Sequence, residues 1–221
     1  MNVILFGATG MVGQGALREC LRDPEVARVL TIGRRPTGQA HPKLRELTAP
    51  DLFDLSGLAS ELRGYDACFF CLGVSAGGMS EADYTRLTYD LTLSAAKALL
   101  QANPQMVFEY VSGAGTDSSE QGRSRWARVK GRTENALRAL PFRAVYLLRP
   151  GLIQPLHGIR SQTRAYRIFY SLGGFLLPLV RAIAPSSITS TERLGKLMIR
   201  LARSGRPGAI LEMKEITALE P

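Results

Sequence analysis

The residues NVILF (2–6) run directly into GATGMVGQG (7–15), so a strand-like apolar run meets glycines at 7, 10 and 13 before a helical pattern begins. Glycines at this spacing let the chain turn sharply, let a bulky anion approach the main chain, and let the next helix pack closely on a sheet. The first turn of that helix carries unpaired N–H groups and a positive dipole end, which favour phosphate. The spacing alone is weak evidence. Its position between an apolar strand and an amphipathic helix makes phosphate binding the stronger reading over an incidental turn.

The pattern continues for two-thirds of the chain. Strand-like runs at 2–6, 27–32, 43–47, 66–72, 105–111 and 142–148 alternate with helical patterns at Met11–Leu21, Leu55–Leu62, Glu81–Gln101 and Ser124–Leu140. Alternation of this kind predicts βαβ units and a parallel sheet, and strands this continuously apolar are buried on both faces. After Arg149 the pattern changes to a basic and apolar stretch, a helix over Thr191–Arg203 and a last strand within 208–213. The expected fold class is α/β, a doubly wound parallel sheet with a small C-terminal helical cap. At 221 residues one domain accounts for the chain, with 153–207 as a mainly helical cap on the substrate side.

About 20 residues beyond the glycines, where an NAD-specific fold places an acid on the ribose hydroxyls, the sequence has Gly33-Arg34-Arg35. Guanidinium groups bind a 2′-phosphate that a carboxylate would repel, so NADP(H) is the expected cofactor. The alternative is a pair of solvated arginines in a loop.

With GATGMVG, the basic end of the second strand, CLG at 71–73, YVSG at 110–113, Lys130 on a helix and RPG at 149–151, the chain resembles the short-chain dehydrogenase/reductase superfamily. More narrowly it is similar to the atypical branch that holds Tat-interacting-protein-like and NAD-dependent epimerase/dehydratase-like proteins. The resemblance covers most of the chain and is firmest over 1–152. It implies a Rossmann-type fold with Gly7, Thr9, Gly10, Met11, Val12 and Gly13 along the pyrophosphate and Arg34 and Arg35 at the adenosine phosphate. It further implies that Cys71, Leu72 and Gly73 pass the cofactor, that Pro150, Gly151 and Leu152 flank the carboxamide, and that Ser112 and Lys130 are catalytic, with Lys130 also holding the nicotinamide ribose. The departure is Trp126, which stands where the Tyr-x-x-x-Lys pattern has its tyrosine. An indole N–H is a donor only and does not deliver a catalytic proton. Ser112, Tyr110, Tyr84, Tyr166 or a water held by Lys130 are the candidate sources.

The expected function is therefore NADPH-dependent oxidoreduction of a small carbonyl compound. Two alternatives are a catalytically silent NADPH-binding regulatory protein and, more weakly, a nucleotide-sugar epimerase-like enzyme. The net charge of +9 is dispersed and comes with no nucleic-acid-binding motif, so nucleic acid is not an expected partner. Cys68 and Cys71 spell C-x-x-C, but residues three apart on a strand face opposite ways, which favours buried structural thiols. His41 and His157 are isolated, so no metal site is expected. Ser112 lies outside any G-x-S-x-G elbow. Arg160, Arg164 and Arg167 share a helical face and read as solvated or as a clasp for an anionic substrate. The apolar run 168–183 is interrupted by Gly173, Gly174, Pro178 and Arg181 and is shorter than the roughly 20 residues of a membrane span. Packing within the fold is its expected role; a lid, a homodimer or partner contact and a membrane-surface contact are the alternatives. An odd cysteine count without a leader segment predicts the cytoplasm.

Overall fold

The computed structural model describes residues 1–159, 187–206 and 208–219. Among these residues, seven parallel strands form one sheet in the order β3-β2-β1-β4-β5-β6-β9. These are β1 (Asn2–Phe6), β2 (Arg28–Gly33), β3 (Leu44–Thr48), β4 (Ala67–Phe70), β5 (Val107–Val111), β6 (Ala144–Arg149) and β9 (Ile210–Glu212). From β1 the chain builds outward to β3, then returns to lay β4 against the other side of β1. That reversal leaves a crevice beyond the carboxyl ends of β1 and β4, the place where open α/β sheets bind ligands.

Apolar side chains alternate to two faces. Val3, Leu5 and Phe69 point to the face covered by α1 (Met11–Arg22) and α5 (Thr191–Ser204). Ile4, Phe6, Phe70 and Phe108 point to the face that packs with α3 (Leu91–Ala102) and α4 (Arg125–Arg138). There Phe6, Phe70 and Phe108 stack across three neighbouring strands with ring centroids 5.1 and 5.9 Å apart. Offset aromatic pairs add about 0.5–1.5 kcal/mol each beyond their buried area. On the first face Gly15 and Gly195 bring the backbones of α1 and α5 together, since a Cβ on Gly195 would lie 3.0 Å from the Gly15 carbonyl oxygen.

Several elements differ from the sequence expectation. The helix expected over Leu55–Leu62 is a single 3-10 turn at Ser56–Leu58. The helix expected over Glu81–Gln101 begins as α2 (Glu81–Thr85), widens into a π segment at Arg86–Asp90, and continues as α3. The short parallel pair β7 (Leu152–Gln154) and β8 (Ile188–Ser190), and α6 (Met213–Leu219), were not anticipated. Within the expected cap over 153–207, Thr191–Ser204 packs along α1 as part of that layer. The arginine row at 160, 164 and 167, Tyr166 and the apolar run 168–183 lie outside the described residues. No described helix is long and apolar enough to cross a membrane.

Candidate active site

The glycine turn is shaped by close approach. Gly7 has φ +77°, and a Cβ there would sit 2.6 Å from the Leu72 nitrogen and 2.7 Å from the Cys71 carbonyl. The Gly10 N–H donates to the Gly7 carbonyl at 2.9 Å, which closes the turn. A Cβ on Gly13 would lie 2.0 Å from the same carbonyl oxygen, so only glycine lets α1 start this near β1. Gly10 caps α1 and supplies no side-chain cap bond to its first turn. Thr9 is exposed, and Met11 and Val12 are half-buried against the core. A turn stripped of side chains and followed by a helix start without a side-chain cap fits a diphosphate. The backbone of Cys71 and Leu72 abuts the turn, and Gly73 follows it, exposed. Cys71 packs on the α1 face and Cys68 on the other.

Arg34 and Arg35 leave β2 with exposed side chains. A residue that sequence reasoning missed holds their loop. Glu46 on β3 accepts the Thr37 N–H at 2.7 Å and the Thr31 hydroxyl at 3.2 Å, so this carboxylate is already engaged.

At the carboxyl end of β5 the structure brings Ser112 and Lys130 together. The Lys130 ammonium donates to the Ser112 carbonyl oxygen at 2.8 Å and stands over the Tyr110 ring, 5.6 Å from its centroid. Burial holds the Lys130 pKa down to about 8, with the Glu134 charge opposing that shift. Close packing of α4 makes this contact. A Cβ on Gly131 would fall 1.7 Å from the Asp117 carbonyl oxygen, so glycine is required beside the lysine. Trp126, one turn earlier, is half-buried against the 113–116 turn, where a Cβ on Gly115 would lie 3.6 Å from its ring. Tyr84 and Tyr110 are 3% and 2% exposed, and burial pushes both phenols to higher pKa.

Beneath Ser112 lies a network absent from the sequence expectation. The Ser112 hydroxyl donates to Glu134 Oε1 at 2.5 Å and lies 3.2 Å from the Leu148 carbonyl oxygen. Glu134 is fully buried and receives Arg149 Nε on both oxygens at 3.1 Å, along with Arg149 Nη2. Arg149 further donates to Glu212 at 2.7 Å and to the Ser118 hydroxyl at 2.5 Å. The available signal was spacing: Glu134 follows Lys130 by four residues, one helical turn on the same face. The Pro150 carbonyl accepts the Ala114 N–H at 2.9 Å, the Gly151 N–H meets the Met213 sulfur at 3.2 Å, and Leu152 opens β7 beyond β6.

A groove of about 640 Å³ lies at the far end of α1 from the glycine turn, lined by Arg18, Arg22, His157, Lys196 and Arg203 among others. Three of its cations already face acids: Arg18 with Glu19, Lys196 with Glu192, and Arg203 with Glu25. Ion pairing accounts for that surface.

No family model matches the chain. The mitochondrial protein fmp52 of Emericella nidulans is 35% identical over 170 residues, which cover 74% of this chain and 70% of that protein. A short-chain dehydrogenase/reductase oxidoreductase from Burkholderia thailandensis superposes with a TM-score of 0.70 at 14% identity, over 98% of this chain and 92% of the other. The structure of MoeE5 in complex with UDP-glucose and NAD superposes with a TM-score of 0.68 at 19% identity, over 96% and 75% of the two chains. At these identities the two structures bear on the fold, which is Rossmann-type. The expectation of a cytoplasmic protein does not stand, because the fungal relatives are described as mitochondrial.

Proposed function

The chain belongs to the Fmp52 family of short-chain-dehydrogenase-like proteins, and on that premise we propose that it is an NADPH-binding oxidoreductase of a small carbonyl compound, working in a mitochondrial setting. The glycine cradle supports the reading most strongly, because Gly7 and Gly13 are held where any side chain would strike backbone at 2.0–2.7 Å. In this reading Gly7, Thr9, Gly10, Met11, Val12 and Gly13 hold the pyrophosphate, and Cys71, Leu72 and Gly73 border it. Arg34 and Arg35 take the 2′-phosphate, while Pro150, Gly151 and Leu152 flank the carboxamide. Lys130 binds the ribose and, with Ser112, borders the reacting carbonyl. The chain acts as a single domain, and the part of 153–207 beside the β7–β8 pair, just beyond β6, borders the substrate.

Trp126 favours a second reading, a catalytically silent NADPH-binding protein whose partner affinity follows cofactor occupancy. Incubation with NADPH and a panel of aldehydes and ketones separates the two. Cofactor oxidation that falls in Lys130→Ala supports the enzyme; tight NADPH binding without turnover supports the silent binder. Trp126 is the sole tryptophan, so its emission reports on this site directly. Quenching by NADPH is expected, and unchanged emission at saturation would move Trp126 away from the cofactor.

A further inference from the structure

Reduction of a carbonyl consumes a proton, and among the described residues the side chains around Ser112 differ in whether they can release one. The Trp126 indole keeps its hydrogen. The Ser112 hydrogen is committed to Glu134 at 2.5 Å, and the Thr133 hydrogen to the Val129 carbonyl at 2.7 Å. Tyr84 and Tyr110 are buried, and burial makes both weaker acids than an ordinary phenol. Arg149 is held by Glu134, Glu212 and Ser118, and a guanidinium is not deprotonated in proteins. Lys130 differs from all of these. Its ammonium carries three protons, of which one is bonded to the Ser112 carbonyl oxygen at 2.8 Å.

Resting on the reductase reading above, we infer that Lys130 is the general acid of this chain: anchored on Ser112, its ammonium protonates the substrate oxygen in the role that the tyrosine of Tyr-x-x-x-Lys fills. When bound, a reduced nicotinamide dinucleotide supplies the hydride that adds to the carbonyl carbon. The carbon–oxygen π pair moves onto oxygen, one Lys130 N–H bond breaks as the O–H bond forms, and the neutral amine takes its next proton from water.

The surroundings suit the task. Burial brings the Lys130 pKa to about 8, where an ammonium is both populated and acidic near neutral pH. An ordinary lysine near 10.4 would be a poor donor there. Glu134 on the same helix limits the depression and is itself neutralised by Arg149 from β6. The group facing Lys130 from β5 is the uncharged Tyr110. From α2, Tyr84 acts on Tyr110.

Two measurements test the assignment. The chain has five lysines, Lys43, Lys97, Lys130, Lys196 and Lys214, so lysine labelled with carbon-13 at Cε gives a resolvable spectrum in the cofactor-free protein. The signal lost in either Lys130→Arg or Lys130→Met should titrate near pH 8; a midpoint above 10 overturns the proposal. In turnover, the wild-type rate should fall above about pH 8. Lys130→Arg, which keeps a positive charge but is not a proton donor near neutral pH, should still bind NADPH and lose on the order of 10²-fold in kcat. An unchanged kcat and pH profile in that variant overturns the role while leaving the reductase reading in place. NADPH binding with no turnover of any carbonyl overturns that reading, and the role with it.

Discussion

Gly13 and Gly131 are positions where one methyl group decides whether the site assembles. A Cβ on Gly131 would lie 1.7 Å from the Asp117 carbonyl oxygen, so Gly131→Ala must push α4 away from the 113–118 turn and take Lys130 off Ser112. Urea denaturation should show a loss of about 1–3 kcal/mol or more, the cost of overpacking; a variant as stable as wild type would show that α4 does not sit this close. Glu109 poses a different residue-level question. It lies on central β5, fully buried, and among the described residues neither carboxylate oxygen has a hydrogen-bond partner. Burial raises its pKa well above the usual range. The folded state therefore keeps a proton that the unfolded chain releases near pH 4.3, and stability from this group falls as pH rises from there toward the raised folded pKa, by up to about 1.4 kcal/mol per unit. Melting curves of Glu109→Met should lose that decline above the unfolded carboxylate range; a variant with the wild-type slope would assign the decline elsewhere. Nothing in the pattern QMVFEYV marks this carboxyl as unpaired, because hydropathy shows that a residue is buried and not whether a partner reaches it.

At the scale of elements, α4 aligns Trp126, Lys130 and Glu134 along one face, and the buried Glu134–Arg149 pair fastens that helix to β6. Arg149 keeps Glu212 when Glu134 is removed, but the fully buried Glu134 loses its ion pair when Arg149 is removed, so Arg149→Ala should cost about 3–5 kcal/mol in urea unfolding. Replacing both by methionine should cost clearly less than the single change. Equal costs would mean that the pair does not couple. β1 to β6 and α1, α4 and α5 were legible to within a few residues because each carries a sustained apolar period. The misses have physical reasons as well. β7 and β8 have three residues each, too few for a period, and they exist because they pair with one another. Over Leu55–Leu62 the apolar spacing looked helical, yet Asp54 accepts the Ser56 N–H at 2.8 Å and the turn ends within three residues. The closeness of Ser112 and Lys130 was legible from motif spacing, whereas Glu134 reads as a solvated helix acid until Arg149 of β6 is seen against it.

At the scale of the whole molecule, the doubly wound order puts the glycine turn of β1, the Cys71–Gly73 end of β4 and the Ser112 end of β5 along one edge of the sheet. A dinucleotide is long enough to need all three. Sequence pattern announced this arrangement because parallel strands buried on both faces write themselves as apolar runs. It misjudged the compartment, since residue pattern carries no address that the fold requires. Two exposed guanidinium groups at the end of β2 make the proposed preference for NADPH measurable. Isothermal calorimetry of wild type and Arg34→Ala with NADPH and NADH tests it most directly. Wild type should prefer NADPH, and the variant should lose about one to two orders of magnitude in NADPH affinity while its NADH affinity stays the same. Equal affinity for the two cofactors in wild type, or no heat of binding from either, would contradict it.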